Sequence, residues 1–290
     1  YPPAFSAATQ AAAATIHNLI PPSIPMILFA LSSNTSVAAL FVAGILPGLL
    51  MCGGFMAACW WVGKRRNFPR EMRKLDWGVF GTQLLYATPA LVLPVLIIVF
   101  LRFGIATPTE VSVLSTLYAG LVSVLVYRDL GWKRLHKAVM EAGLSTGVVL
   151  LVIMASAAIG WLLTFDRMPD GVVGWAQANL SSGWSVILLM NLLMLVCGMF
   201  IDLPAAVLLL TPVFVPLANS IGMDLTQLGI MMTVNLAIGL YTPPVGTTLF
   251  ITSSLAKVKV GETVRELGPF YLVAFGVLFL VSYVPGSIFK

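Results

Sequence analysis

Apolar runs of bilayer-spanning length recur along the chain, at 38–62, 84–101, 111–127, 143–164, 184–200 and 270–288. A helix rises about 1.5 Å per residue, so about 20 predominantly apolar residues cross a hydrocarbon core about 30 Å thick. Inside lipid every backbone N–H and C=O must find a partner within the chain, which leaves helices or a closed barrel. The alternation of a barrel strand is absent, so the expected fold class is an all-α integral membrane protein. Composition agrees: 59% of residues are hydrophobic and 9% charged, where a soluble domain carries about 25% charged residues. The chain opens on Tyr1, and YPPAFSAATQ has neither the charged flank nor the cleavage site of a signal peptide, so further sequence is expected upstream.

A net charge of +5 raises nucleic acid as a partner, and the placement of the charges argues against it. Most of the basic residues fall in three clusters: Lys64, Arg65, Arg66, Arg70, Arg73 and Lys74; Arg128, Lys133, Arg134 and Lys137; and Lys257, Lys259 and Arg265. Excess Lys and Arg beside apolar spans marks cytoplasmic loops. Counting from the first cluster, 84–101 runs outward, the Arg102 to Pro108 loop turns, 111–127 returns and 143–164 leaves again, which puts 165–183 outside. The run 184–217 must then cross an even number of times. It is interrupted at GMFIDLP (198–204), so a re-entrant hairpin is expected there. The segment 226–256 then runs inward and 270–288 outward, while counting backwards gives 38–62 inward and 7–33 outward.

Both 7–33 and 226–256 are interrupted by double prolines, Pro21-Pro22 and Pro243-Pro244, and charge counting makes them run in opposite directions. LIPPSIPMILFALSS (19–33) and YTPPVGTTLFITSS (241–254) share the prolines, a following Phe and paired serines. Each is a broken helix followed by one more span, the pattern of an inverted repeat. Proline in a helix interior removes an amide donor and clashes with the preceding turn, at about 3 kcal/mol or more, and two in succession free several carbonyls. In secondary transporters such carbonyls coordinate the coupling ion, and helix N-termini face anionic substrates. Gly239 and Gly246 bracket the second break and allow close backbone approach, and Thr242 adds a hydroxyl. The competing reading is a plain proline kink.

IPPSIP (20–25), AGILPGLL (43–50), GIATPTE (104–110), GMFID (198–202), TPVFVP (211–216) and NLAIGLYTPPVG (235–246) together resemble the large membrane subunit of tripartite ATP-independent periplasmic (TRAP) transporters, the DctM type, over nearly the whole chain. The resemblance implies an elevator-type, sodium-driven importer in the bacterial inner membrane. It implies a periplasmic binding protein that delivers a small carboxylate, such as a C4-dicarboxylate or sialic acid, and a small membrane subunit, separate or fused. It also implies two sodium sites. The positions matching the second are Gly198 on the hairpin with Gly239, Thr242 and Val245 on the broken helix, supported by Asp202, Pro243, Pro244 and Gly246. Those matching the first are His17, Ile20 and Pro22. The family's first hairpin is expected upstream, and histidine stands at 17 where the family usually has glycine. The organisation implied is 1–62 as the later part of a first repeat, 63–108 as a basic interfacial segment with a scaffold span, and 109–290 as the second repeat.

Other residues carry two readings each. Asp202, an acid deep in an apolar stretch, either caps the second hairpin helix or faces the ion. His17 has no acid, Cys or His partner nearby and reads as a satisfied polar core residue. Thr107 and Glu110 have capping-box spacing. Thr233 and Asn235 either line a cavity or bond a neighbouring helix, and SSNT (32–35) reads as a loop at the end of a span. Segments 66–82 and 129–142 read as interfacial, with Trp77 and Trp132 at headgroup level. Cys52, Cys59 and Cys197 lack paired or metal-ligand spacing. An enzyme would need a nucleophile with a base or a metal set such as HExxH, and the two histidines, His17 and His136, lie far apart in the sequence. A channel would show a filter-like glycine run or a ring of charge. The remaining alternative is a sodium/carboxylate symporter of similar architecture that works without a binding protein. The topology is checked by membrane-impermeant thiol labelling of single cysteines: position 170 is expected to label from outside and position 133 from inside, and the opposite pattern refutes the hairpin parity.

Overall fold

A computed structural model describes residues 1–69, 76–180 and 182–284, and every regular element among them is helical. In chain order these are α1 (Pro3–Ala13), a 3-10 turn (Ala14–Asn18), α2 (Ile24–Ser33), α3 (Val37–Arg65), α4 (Trp77–Arg102), α5 (Pro108–Leu125) and α6 (Trp132–Phe165). They continue as α7 (Met168–Asn179), α8 (Gly183–Phe200), α9 (Leu203–Ser220), α10 (Leu225–Gly239), α11 (Thr247–Leu255), α12 (Val260–Glu266) and α13 (Gly268–Tyr283). Six of them are long and apolar enough to cross a membrane: α3, α4, α5, α6, α8 and α9. The chain divides into two compact units, residues 1–68 with 152–290, and residues 69–151.

In the smaller unit α4 and α5 pack as a helical hairpin. The Asp76 carboxylate caps α4 by accepting from the Gly78 and Val79 amides at 2.9 and 3.3 Å. Thr107 and Glu110 form the expected capping box: the Thr107 amide donates to Glu110 Oε2 at 2.7 Å and the Glu110 amide to Thr107 Oγ1 at 3.4 Å. Tyr118 and Tyr127 reach across to donate to the Pro89 and Tyr86 carbonyls at 2.8 and 3.0 Å. Only 11% of the most apolar window of α4 and 6% of that of α5 is buried. Surfaces this apolar and this open are what lipid-facing helices present, far beyond the few hundred Å² of apolar patch a soluble monomer exposes.

The larger unit is built around α10. It packs against α8, α9, α13, α3, α2 and the 3-10 turn, and the run Leu228–Gly239 is buried throughout. A helix that is apolar all round has no face to give to water, and α10 takes the central position. Glycine lets its neighbours close in: a Cβ at Gly229 would lie 2.6 Å from the Phe29 ring and 2.7 Å from Leu40. Helices α8 and α9 form a hairpin with Ile201 and Asp202 at the turn.

Several boundaries differ from the sequence reading. The first broken segment begins at Pro3 rather than residue 7. The stretch 165–183 is not an open loop but carries α7, which packs on α9. Residues 132–165 are one continuous helix, so most of the basic stretch 129–142 is the first part of α6 rather than a separate interfacial piece. A short helix, α12, precedes α13 at a bend of 57°. Arg70, Arg73 and Lys74 of the first basic cluster, and residues 285–288 of the last span, lie outside the described residues.

Candidate functional site

Each double proline sits in a gap between two helices. The first helical path is α1 and the 3-10 turn, which ends at Asn18, then α2 from Ile24. The second is α10, which ends at Gly239, then α11 from Thr247. The Pro21-Pro22 and Pro243-Pro244 peptides are both cis. Each gap is bridged by a hydroxyl from beyond its prolines. Ser23 Oγ donates to the Asn18 carbonyl at 2.6 Å and accepts from the Met26 amide as N-cap of α2. Thr248 donates to the Leu240 carbonyl through both its amide (3.0 Å) and its hydroxyl (2.8 Å). In both gaps the carbonyl that is bridged lies three residues before the first proline.

Beyond the bridged carbonyl of the second gap, the Tyr241 carbonyl accepts from the Tyr271 hydroxyl at 3.0 Å. Among the described residues no protein hydrogen bond ends on the carbonyls of residues 19–22 or of residues 242–245. Two prolines in each gap remove donors. A carbonyl withdrawn from water without a partner costs about 1–3 kcal/mol, so a cation that collects several of them has a favourable exchange to make.

The hairpin brings its tip to the second gap. A Cβ built on Gly239 would lie 2.4 Å from the Gly198 carbonyl carbon and 2.6 Å from its Cα and oxygen, closer than side-chain atoms ever approach. A Cβ on Gly198 would lie 3.2–3.3 Å from the Leu236 backbone. The Gly246 amide donates to the Met199 carbonyl at 3.2 Å, and Gly246 has a φ of +50°. Gly198, Gly239, Thr242 and Gly246 are thus one local cluster. Thr242 Oγ1 donates its proton to the Ile238 carbonyl at 2.7 Å, which leaves the oxygen lone pairs as acceptors. Val245 and Pro244 lie exposed at the mouth, and Pro243 is half-buried. Behind them Tyr241 is fully buried, its ring stacked on that of Tyr271, whose hydroxyl donates to the Tyr241 carbonyl at 3.0 Å.

The first gap rests on α3 instead. Gly44 and Gly48 form a groove there: a Cβ at Gly44 would lie 2.6 Å from the Leu19 carbonyl oxygen, and one at Gly48 2.8 Å from Ile20 Cγ1. Ile20 is half-buried and Pro22 exposed. His17 is exposed, not a core residue, and its Nδ1 is bonded to the Ala14 carbonyl on its own turn. Asp202 stands at the N-cap position of α9, but its side chain makes no capping bond and is exposed. Capping of α9 by that carboxylate is therefore not observed. Asn235 bonds a neighbouring helix: its Nδ2 donates to the Asn191 carbonyl and Oδ1 of α8 at 2.9 and 2.7 Å. Thr233 donates back to the Gly229 carbonyl at 2.8 Å within α10. Sequence reasoning passed over Asn191, Ser23 and Thr248; a hydroxyl within four residues after each double proline is the signal that marks the last two.

Helices of bilayer length and two proline-broken helices, one with a helical hairpin seated on its gap, define a multi-pass membrane protein. Residues 1–287 match the family described as tripartite ATP-independent periplasmic transporter, DctM component, and the chain belongs to that family. It is 57% identical over 285 residues to an uncharacterised protein of Sinorhizobium fredii, covering 98% of this chain and 68% of the relative. It is 34% identical over 287 residues to the C4-dicarboxylate TRAP transporter large permease protein DctM of Pseudomonas aeruginosa (98% and 66% covered). It is also 34% identical over 284 residues to the sialic acid TRAP transporter large permease protein SiaM of Vibrio cholerae (97% and 66%). The chain thus spans about two thirds of the length of these relatives. It is an inner-membrane permease chain and not an enzyme. The contact between hairpin and gap is checked with Gly239→Ala. The added methyl must push the two backbones apart, an overpacking of about 1–3 kcal/mol. With Cys52 and Cys59 replaced by Ala, maleimide should label Cys197 several-fold faster in the variant; an unchanged rate means that the tip does not rest on Gly239.

Proposed function

We propose that this chain forms the later part of the large membrane subunit of a sodium-coupled importer of small carboxylates. The observation that carries the reading is the pair of matched gaps, each with consecutive carbonyls that accept no protein donor among the described residues and each bridged by a hydroxyl at the start of the following helix. Sodium is a small hard cation that takes oxygen ligands, and it suits a neutral carbonyl cradle. The proposed second site joins the Gly198 tip to Gly239, Thr242 and Val245. The proposed first site uses the backbone at His17, Ile20 and Pro22. Asp202, exposed at the turn of the hairpin and without a bonded partner among the described residues, lends negative potential beside the second site.

In this reading the two gaps belong to inverted repeats, with 1–62 in the first and 109–290 in the second, and the hairpin α8–α9 re-enters rather than crosses. Substrate moves by an elevator-type step. The family's tripartite description supports a periplasmic binding protein and a small membrane subunit as partners. The relatives named for C4-dicarboxylate and sialic acid both handle carboxylates, and that is the substrate class proposed here. Helix N-termini at the gaps, such as that of α11, supply positive potential for such an anion.

The test is sodium-dependent uptake by the full-length transporter in proteoliposomes with its binding protein. Thr242→Ala combined with Gly198→Leu should raise the sodium concentration needed for half-maximal uptake by tenfold or more, since about 1.4 kcal/mol of lost ligation is a factor of ten. Unchanged sodium dependence sinks the assignment of the second site.

A further inference from the structure

The tolerance at the Gly198–Gly239 contact is tight, and apolar packing alone does not set it. Helices α8 and α10 carry leucine, methionine and isoleucine along their shared surface, and the hydrophobic contribution of such side chains is non-directional. Among the described residues, the side-chain hydrogen bonds that cross the surface centre on Asn191. Asn235, fully buried in α10, donates from Nδ2 to both the backbone carbonyl (2.9 Å) and the side-chain oxygen (2.7 Å) of Asn191 in α8. Asn191 is held in turn. Its Nδ2 donates to the Ile187 carbonyl and to Ser282 Oγ of α13, both at 3.0 Å, with Met231 Sδ at 3.6 Å. The amide orientation of Asn235 is determined, since a flip would set its oxygen against two oxygens of Asn191.

From this contact the two helices run toward the gap together. Gly198 lies seven residues beyond Asn191, about 10 Å along α8, and Gly239 four residues beyond Asn235, about 6 Å along α10. A slip of a single residue, about 1.5 Å, would break both bonds and at the same time drive Gly198 off Gly239. We propose that Asn191 and Asn235 are positioning residues for the second cation site: they touch no ion, and they hold the hairpin helix in the register at which its glycine tip meets the broken helix. This deepens the sodium reading above and rests on it. Buried polar pairs that fix register between apolar helices are the best-attested use of such groups.

The pair flanks a cavity of about 220 Å³ between α8, α10 and α13, with Leu188, Leu192 and Phe279 on its apolar walls. Leucine at 191 or 235 therefore has space, and the variants remove the directional bond while keeping apolar bulk. The experiment measures ²²Na⁺ binding to the purified full-length permease for wild type, Asn235→Leu, Asn191→Leu, the double variant and Gly239→Ala. A register role raises the half-saturating sodium concentration on the order of tenfold in each Asn variant, with the amount bound at saturation unchanged. The double variant should be no weaker than either single one, because both remove the same interaction. Asn191→Leu, at a half-buried position, serves if Asn235→Leu fails to fold. A purely structural role would lower the amount bound without moving the half-saturation point, and that result overturns the proposal. Sensitivity to Gly239→Ala with no shift in the Asn variants overturns the register role alone. Insensitivity of all the variants overturns the sodium site as well.

Discussion

The site depends on backbone packing against backbone, where Gly198 near the end of α8 meets Gly239 at the end of α10 with no room for a Cβ. Any side chain at Gly239 would hold the hairpin away, and the Gly246 amide would lose its bond to the Met199 carbonyl. The same economy of space recurs at the first gap, where Gly44 and Gly48 let Leu19 and Ile20 settle on α3. Without a hydrophobic force between helices inside lipid, close approach at small residues is what association has to work with. The central place of α10 follows: wrapped on all sides by apolar neighbours, it carries the broken end into the middle of the larger unit.

The gaps balance two opposed demands. A membrane interior penalises unsatisfied backbone groups, and irregular backbone survives there only when buried in protein or lining a cavity. Each gap satisfies part of its backbone internally, by Ser23 on the Asn18 carbonyl and by Thr248 on the Leu240 carbonyl. Each also holds carbonyls, those of residues 19–22 and of residues 242–245, that accept no protein donor among the described residues. The prolines enforce this, because they cannot donate, and the hydroxyl bridges prevent the gap from opening further. A structure that stabilises the edges of a gap and leaves its centre unsatisfied is suited to a cation that arrives and departs.

Much of this was legible in the residues. The apolar runs, the double prolines, the hairpin turn at GMFIDLP and the Thr107–Glu110 box all act locally, through chain length, ring geometry and three-residue spacing, and the structure has each of them. What was not legible depends on partners distant in sequence. The helix α7 within 165–183 is short, polar on one side and defined by its packing on α9. The continuity of α6 through its basic first turns carries no punctuation either way. Asp202 has the sequence of a cap, yet its carboxylate leaves the amides of α9 alone, and His17 lies exposed where an apolar context suggested burial. The Asn191–Asn235 pair, 44 positions apart, leaves no spacing pattern at all.

The central claim is that the second gap is a cation cradle closed by the hairpin tip. Density maps of the full-length permease prepared in sodium and in choline, at matched resolution, address it most directly. The account predicts a peak in sodium, absent in choline, within ligand distance of the Gly198 tip and of the carbonyls at 242–245. Identical maps, with the gap empty in both salts and the peak at neither position, would contradict it.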